Sequence, residues 1–485
     1  MKMLKLLPEI LNDAYFIWEH TIPADLKYDV IFDSYSGVNH ESTGGQIITG
    51  DNLATAKTLY AGICAETITP IKLIYMDPPF FTKTAYVNMV KLDTGTEKEV
   101  SVPLEAFSDN WKPTRNLGSG ASNADNTGAG IENSHEKSES EDAEFTRYLT
   151  MLSSRIIAAR EMLSEDGSLW IHLDHHAAHY IKVIADEIFG SPEHMLNEVI
   201  WQYKSGGSTK KRFARKHDTL LFYAKNPKEH YFSMLQEKSY NRGKKPYRFK
   251  GVKEYRDEEG WYTQVNMRDV WKIDMVGRTS RERTGYATQK PEALLERVVT
   301  SCSEKGDYCM DMFAGSGTLA SVAEKNSRKW ISIDSSPIAA LHTERRMTSQ
   351  GSSFDILSDV PEDSNLVEFG VDVRFEDTAD DRKKLLCVKL TSYSFRDRKG
   401  ESPIRLDKKF NDTISDAVEV NLAQIIGSLA IDINFKECFK ASAVAYSTDK
   451  IEMLIKSEAA DEIVKNPESL AIRVVDIFGN SFLRR

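Results

Sequence analysis

Two short stretches carry residue types that could do chemistry on a planar amine. The first is Asp77, Pro78, Pro79 and Phe80, directly after the apolar run IKLIYM. Two prolines fix φ and remove two backbone donors, while their carbonyls remain acceptors. Asp77 and the Pro78 carbonyl can both accept from one amino group, and Phe80 can stack on the ring that carries it. Asp-Pro pairs also occur in plain turns. An acid, a carbonyl and an aromatic face on one stiff tetrapeptide suit the exocyclic NH2 of a nucleobase better.

The second stretch is DMFAGSGTLA, residues 311–320. A strand ends in Asp311 and Phe313, and a small-residue loop (Ala314, Gly315, Ser316, Gly317, Thr318) opens a helix. Glycine permits a tight turn and lets a ligand approach the backbone. The next strand ends in Asp334, 23 residues after Asp311. An acid there suits the two hydroxyls of a ribose. The loop lacks the GK[ST] of a phosphate-binding loop, and Ala320 stands where a full GxGxxG has its last glycine. A nucleoside cofactor therefore fits better than ATP or NAD.

These residues need a scaffold. IKLIYMD, SLWIHLD, NEVIWQY, TLLFYAK, DYCMDMF and WISID read as strands. They alternate with helical apolar spacing at 147–163 and 177–190, around PEALLERVVTSC, and from Leu319 and Pro337. That alternation predicts an α/β fold with a parallel sheet and helices on both faces. Ligands of such sheets sit at the carboxyl ends of the strands.

The chain of 485 residues is long enough for two to four domains at roughly 150 residues each. Its composition, 41% hydrophobic and 28% charged, excludes a disordered or collagen-like chain. The net charge of −10 argues mildly against a protein coated in nucleic acid. The charge is unevenly spread. Residues 203–256 hold 16 Lys or Arg against 4 acids, whereas 355–381 hold 10 acids and one base, Arg374. Residues 116–143 are dense in Gly, Ser, Asn and acids and predict a mobile loop or insertion. Beyond the acidic stretch, VDVRF, CVKLTSYSF, LAIDINF and IEMLIKS alternate like half-buried strands of a separate α+β domain. No window of 18 apolar residues exists, and Pro8, Glu9 and Asp13 interrupt the N-terminal run too early for a signal peptide. The five cysteines are scattered without a CxxC pair, which suits a reducing compartment and offers no zinc template. A cytoplasmic protein is expected.

Eight pieces of the chain, in order, resemble the S-adenosylmethionine-dependent amino-methyltransferases of DNA, and within them the type III restriction–modification (Mod) subgroup. They are GDNL (50–53), DPPF (77–80), AFSDNW (106–111), EDGSLWIHLDHHAAHYIKVIADEIFG (165–190), EVIWQYKSGG (198–207), RFARKHDTLLFYAKN (212–226), GYATQKPEALLERVV (285–299) and DMFAGSGT (311–318). DPPF preceding the FAGSG loop is the circularly permuted, β-class order. The resemblance implies a doubly wound Rossmann-like methyltransferase sheet over 47–347, with an N-terminal segment 1–46, the flexible insertion 116–143, a DNA-contacting and target-recognition region 203–284, and a smaller C-terminal α+β domain, 348–485. Past residue 350 the likeness fades, although VVDIFGN resembles the end of Mod subunits.

The same resemblance assigns the methionine part of S-adenosylmethionine to Asp311, Phe313, Gly315, Ser316, Gly317 and Thr318. It assigns the ribose to Asp334, the adenine ring to Asp51, and a helix start beside the cofactor to Gln289, Lys290 and Pro291. Phe313 could equally be core. Catalysis falls to Asp77, Pro78, Pro79 and Phe80. An acid at the first position of DPPF favours N6-adenine over N4-cytosine, the runner-up; a DNA-recognition subunit with vestigial catalysis is a further alternative, and a Rossmann dehydrogenase is disfavoured by the permuted order. Double-stranded DNA is the expected partner, a homodimer is expected by resemblance, and a restriction or helicase subunit is a possible companion.

Two other clusters need a reading. His172, His175, His176 and His179 include an i, i+4 pair that could share a metal on a helix, but no HExxH pattern accompanies them, and no metal is expected. The segment KSGGSTKKRFARKH places Lys204, Lys210, Lys211, Arg212, Arg215 and Lys216 between two strands, where they could contact DNA phosphates.

Overall fold

The computed structural model describes residues 2–32, 44–95, 100–109, 134–206, 209–359, 367–377, 384–395, 408–433, 435, 439–441, 443–446, 452–457, 469–479 and 481–484. Ile71–Met76 is buried at all six positions. A strand apolar on both faces belongs at the centre of a sheet covered twice.

In chain order the central strands are β1 (Lys27–Phe32), β2 (Gly45–Thr49), β3 (Ile71–Met76), β4 (Leu163–Leu173), β5 (Met195–Gln202), β6 (His217–Ala224), β7 (Val270–Lys272), β8 (Tyr308–Asp311), β9 (Lys329–Asp334), β10 (Phe354–Ser358) and β11 (Lys440–Ala441). They lie in the order β7-β5-β6-β4-β3-β8-β9-β2-β10-β1-β11. The run β4-β3-β8-β9-β2-β10 is parallel throughout. From β3 the chain moves on to β4 at one side, and from β8 to β9 at the other. The crevice between β3 and β8 is thus the topological switch point, where such sheets bind ligands.

The sheet departs from the expected parallel arrangement at both ends: at one, β1 runs antiparallel to β10. At the other, β6 runs antiparallel to both β4 and β5. The β5–β6 connection holds no helix among the described residues, and without a crossover helix a returning strand must run antiparallel.

Helices α1 (Lys2–His20), α2 (Asn52–Cys64), α3 (Ser134–Met162) and α4 (Ala178–Phe189) bring Ile10, Leu53, Ile156 and Ile181 into one core cluster. Helices α5 (Glu292–Cys302), α6 (Thr318–Lys325) and α7 (Pro337–Ser349) bring Leu294, Leu319 and Met347 into a second, with Trp170 and Trp330. Residues 134–143 of the expected mobile insertion are helical, as the first turns of α3; 116–133 lie outside the described residues.

The domain limits also shift. β1 belongs to the central sheet, so the segment before residue 47 is not separate from it. At the other end β10 pairs with β2, beyond the expected boundary after 347. The C-terminal strands form a three-stranded and a four-stranded sheet, with α8 (Lys408–Val420) beside them. They are fastened to α7 by a buried pair, Arg473 Nη1 to Glu344 Oε2 at 3.3 Å. A two-stranded ribbon, Ala85–Leu92 with Val100–Ser108, follows the DPPF turn. Its Leu92, Val102 and Ala106 pack with Tyr286, Ile338 and Phe478. Among the described residues no helix is long and apolar enough to cross a membrane.

Candidate active site

The carboxyl ends of β3 and β8 meet with Tyr75 and Asp311 paired in register. The DPPF turn leaves the first strand and the small-residue loop leaves the second. Both motifs, distant in sequence, wall one cavity of about 480 Å³. That volume lies in the usual range of small-ligand sites. Asp51, Asp77, Pro78, Pro79, Phe80, Gln289, Lys290, Asp311, Phe313, Gly315, Ser316, Thr318 and Asp334 all line it. Gly317 and Pro291 do not. Gly317 is the left-handed N-cap of α6, with φ 68°, and Pro291 is the N-cap of α5 rather than its first helical residue.

At the catalytic end, the Lys290 ammonium donates to Asp77 Oδ2 and stands over the Phe80 ring, 5.1 Å from its centroid. Asp77 Oδ1 is buried and has no hydrogen-bond partner among the described residues. A buried carboxylate oxygen without a donor is costly, so the cavity must supply one. Behind Asp77 lies fully buried His172, with Nδ1 at 3.8 Å from Asp77 Oδ1. His172 Nδ1 bonds the Tyr75 hydroxyl at 2.7 Å and Nε2 bonds Asp218 at 3.2 Å. Phe80 packs on His172 with centroids 5.6 Å apart.

The turn itself is held by Asp109. Its carboxylate accepts from the Phe81 amide at 3.0 Å, from the Thr82 amide, and from the Thr82 hydroxyl at 2.8 Å. Phe81 has φ 59°, an uncommon conformation for a bulky residue that needs such support. Asp109 falls in AFSDNW; the last two residues of that piece lie outside the described residues.

At the other end the acids dominate. Burial pushes the Asp311 carboxyl up to about 8, against the Phe313 amide and with help from the charges of Asp77 and Asp334. Asp334 is also raised, chiefly by burial. Its oxygens accept from the Gly315 amide at 2.8 Å and the Ser336 amide at 2.9 Å. Gly315 has φ 51°, and a Cβ there would lie 3.2 Å from the Tyr286 ring. Asp51 caps α2 through the Leu53 and Ala54 amides, both at 2.9 Å, and pairs with Arg155 at 3.1 Å. Phe313 is half-buried, packed on the first core cluster and facing the cavity. Acids, a close-approach glycine and an Asp77 Oδ1 with no hydrogen-bond donor among the described residues form an acceptor set that fits a cationic nucleoside cofactor beside a substrate amine.

Two residues expected at the cofactor, Gln289 and Thr318, line the cavity and also brace its walls. Gln289 accepts from the Thr284 amide at 2.8 Å and donates to the Glu282 carbonyl at 2.6 Å. The Thr318 hydroxyl donates to the Lys290 carbonyl at 3.2 Å and accepts from Arg346 Nη1 at 3.1 Å. Arg346 also holds Glu292, whose carboxyl burial would raise but which Lys325, Ser321 and Arg346 bring down to about 2. Glu292 follows TQKP directly, which was the one sequence signal for this brace.

The DNA-facing candidates lie outside the cavity on the β5–β6 loop, where residues 209–215 are exposed. Lys216 differs from its neighbours. Its ammonium donates to the Ser205 carbonyl at 2.7 Å, the Ser205 hydroxyl at 2.8 Å and the Gly206 carbonyl at 2.7 Å, riveting the neck of the loop. Lys204 pairs with Asp274 at 3.7 Å. The histidines are not a helical pair, because α4 begins at Ala178 and His175 precedes it. Asp174, His175 and His176 do cluster, with His176 Nδ1 already 2.6 Å from Asp174.

Relatives share this core. The chain is 26% identical over 215 residues to the type II methyltransferase M.HpaI of Haemophilus parainfluenzae, covering 44% of this chain and 64% of that one. It is 33% identical over 148 residues to the type II methyltransferase M.ScaI of Streptomyces caespitosus, covering 30% and 47%. The alignments thus span between about half and two thirds of these relatives. Among solved structures, the PvuII DNA methyltransferase (cytosine-N4-specific) aligns with 14% identity over 64% of this chain and 89% of its own, at a TM-score of 0.37, a likeness too slight to carry an argument. The family model of N6/N4 DNA methylases matches residues 71–343, over half of the chain, and the chain belongs to that DNA methylase family.

Proposed function

We propose that the protein transfers a methyl group from S-adenosylmethionine to the exocyclic N6 of an adenine flipped out of duplex DNA. The observation that carries this reading is the buried Oδ1 of Asp77, without a hydrogen-bond partner among the described residues, in the wall of a cavity shared by the DPPF turn and the 312–318 loop. Bound S-adenosylmethionine would supply a methyl group activated by the sulfonium charge, with Asp311, Asp334 and Asp51 disposed to hold it.

This chain's residues do the rest. The lone pair of a base amine is delocalised into its ring, which makes the amine a poor nucleophile. Asp77 Oδ1 and the Pro78 carbonyl accept its two hydrogens and localise the lone pair as the amine pyramidalises. Lys290 fixes the other carboxylate oxygen, so Asp77 cannot rotate away. Phe80 offers a face to the flipped base and offsets part of the few kcal/mol that extrusion costs. In-line transfer then needs mainly positioning, with the reacting atoms about 3–3.5 Å apart; the N–C bond forms as the sulfonium's methyl bond breaks, and the proton the amine loses leaves by way of the Asp77 carboxylate. The acid at the first position of DPPF favours adenine over cytosine.

The DPPF-before-FAGSG order supports a β-class assignment, and the eight ordered pieces support a type III Mod-like modification subunit of a restriction–modification or phage-defence system. On this reading the protein acts as a homodimer, with or without a restriction subunit. Tritiated S-adenosylmethionine and duplex DNA test the activity: label should enter DNA with the wild type and fail to enter with Asp77→Ala, while both proteins retain cofactor binding by calorimetry. Equal incorporation by the two would remove Asp77 from the chemistry.

A further inference from the structure

Phe213 is 97% exposed. Leaving such a side chain in water forgoes the gain of burying it, so a bare phenyl ring at a loop tip is a candidate for burial in a partner. Its flanks say what the partner is. Lys210, Lys211, Arg212 and Arg215 surround it and are exposed as well, which suits a polyanion. A ring among cations suits stacked bases inside that polyanion.

The loop is also anchored beside the chemistry. Gln202 and His217 pair at its neck, the Tyr203 amide donates to the Lys216 carbonyl at 3.1 Å, and Lys216 ties both limbs together. The next residue past the neck, Asp218, bonds His172 at 3.2 Å and Tyr203 at 3.0 Å. His172 in turn lies against Asp77 and Phe80. At most about 3.3–3.6 Å per residue separates Phe213 from His217 along the chain. Just past β4, burial lowers the pKa of the His175 imidazole; Asp174 opposes this, and the His176, Arg215 and Arg212 charges add to it.

A base drawn into the cavity leaves a gap in the duplex. We infer that Phe213 enters the stack as an apolar wedge and fills the gap left by the flipped base, while the neighbouring cations hold the flanking phosphates. Side chains that wedge between base steps partly replace lost stacking and keep the duplex open. This inference rests on the proposed methyl transfer.

The test compares wild type, Phe213→Ala and Phe213→Trp on two duplexes carrying the sequence that the wild type methylates, found by sequencing its product. One duplex is fully paired; in the other the target base faces a mismatch and is already loosened. Melting temperatures of the three proteins should agree, since the ring is 97% exposed. Phe213→Ala should lose about tenfold or more in kcat/KM on the paired duplex and recover most of it on the mismatched one. Phe213→Trp should behave like the wild type on both. Substituting 2-aminopurine at the target gives a second readout, a smaller fluorescence rise with Phe213→Ala. An equal loss on both duplexes, or no loss on either, overturns the wedge. A wild type that methylates no DNA, so that sequencing finds no modified site, overturns the underlying reading instead, and the two failures are distinguishable.

Discussion

The Lys290 ammonium is bonded to Asp77 Oδ2, so the cation of the TQKP piece serves the DPPF carboxylate. Both side chains are largely buried, at 11% and 16% exposed. The pair locks one oxygen and leaves Oδ1 to the cavity. Lys290→Gln should therefore lower kcat by about 10–100-fold, the scale of a misplaced reacting group, with the cofactor Kd little changed. A variant that instead lost cofactor affinity and kept kcat would return Lys290 to the cofactor.

Asp77→Asn is the finer companion of Asp77→Ala. The amide keeps the shape but can present an NH2 where the substrate amine needs an acceptor. Single-turnover transfer should fall by at least about 10²-fold, while calorimetry finds the same cofactor affinity.

Cofactor binding should depend on pH through Asp311. Burial holds this carboxyl near 8, so it is largely protonated at neutral pH. A cationic ligand favours the ionised form. Affinity should then rise as pH goes from 6 to 9 and level off above about 8, with a proton released on binding. Calorimetry in two buffers of different ionisation heat measures that proton, and Asp311→Asn should abolish it. The sign for folding is opposite. A carboxyl raised above its unfolded value favours the folded state at low pH, and this contribution is lost as pH rises through the folded value.

Gly317→Ala tests the loop. Its φ of 68° is left-handed, and a Cβ would lie 2.7 Å from the Thr343 side chain. The backbone term alone is about 1–2 kcal/mol, and Tm should fall. An unchanged Tm would mean that the loop relaxes freely.

The basic loop divides into two kinds of residue. Replacing Lys210, Lys211 and Arg212 with Ala should flatten the slope of log K against log salt by about 0.9 per lost phosphate contact. Lys216→Ala should flatten it less, because this ammonium is spent on Ser205 and Gly206. Filter binding across a salt series reads both.

Much of the cavity was legible before any coordinates. β3 and β8 are fully or nearly fully buried runs that end in chemistry, and buried parallel strands write themselves as unbroken apolar stretches. The direction of β6 was not legible, because an apolar run reads the same parallel or antiparallel. The ribbon at 85–108 was missed because its burial partners, Tyr286, Ile338 and Phe478, come from distant segments. The same distance hid the Lys290–Asp77 bond, the Asp109 brace and the Arg346–Glu292 pair. Sequence spacing reports neighbours along one element, and these contacts join several.

The central claim is amine methylation of adenine with Asp77 as acceptor. The most direct measurement incubates duplex DNA with S-adenosylmethionine and either the wild type or Asp77→Asn, digests the DNA to nucleosides and identifies the products by mass spectrometry. N6-methyl-2′-deoxyadenosine from the wild type and none above background from Asp77→Asn is the predicted result. N4-methyl-2′-deoxycytidine, no methylated nucleoside from the wild type, or equal yields from both proteins would contradict it.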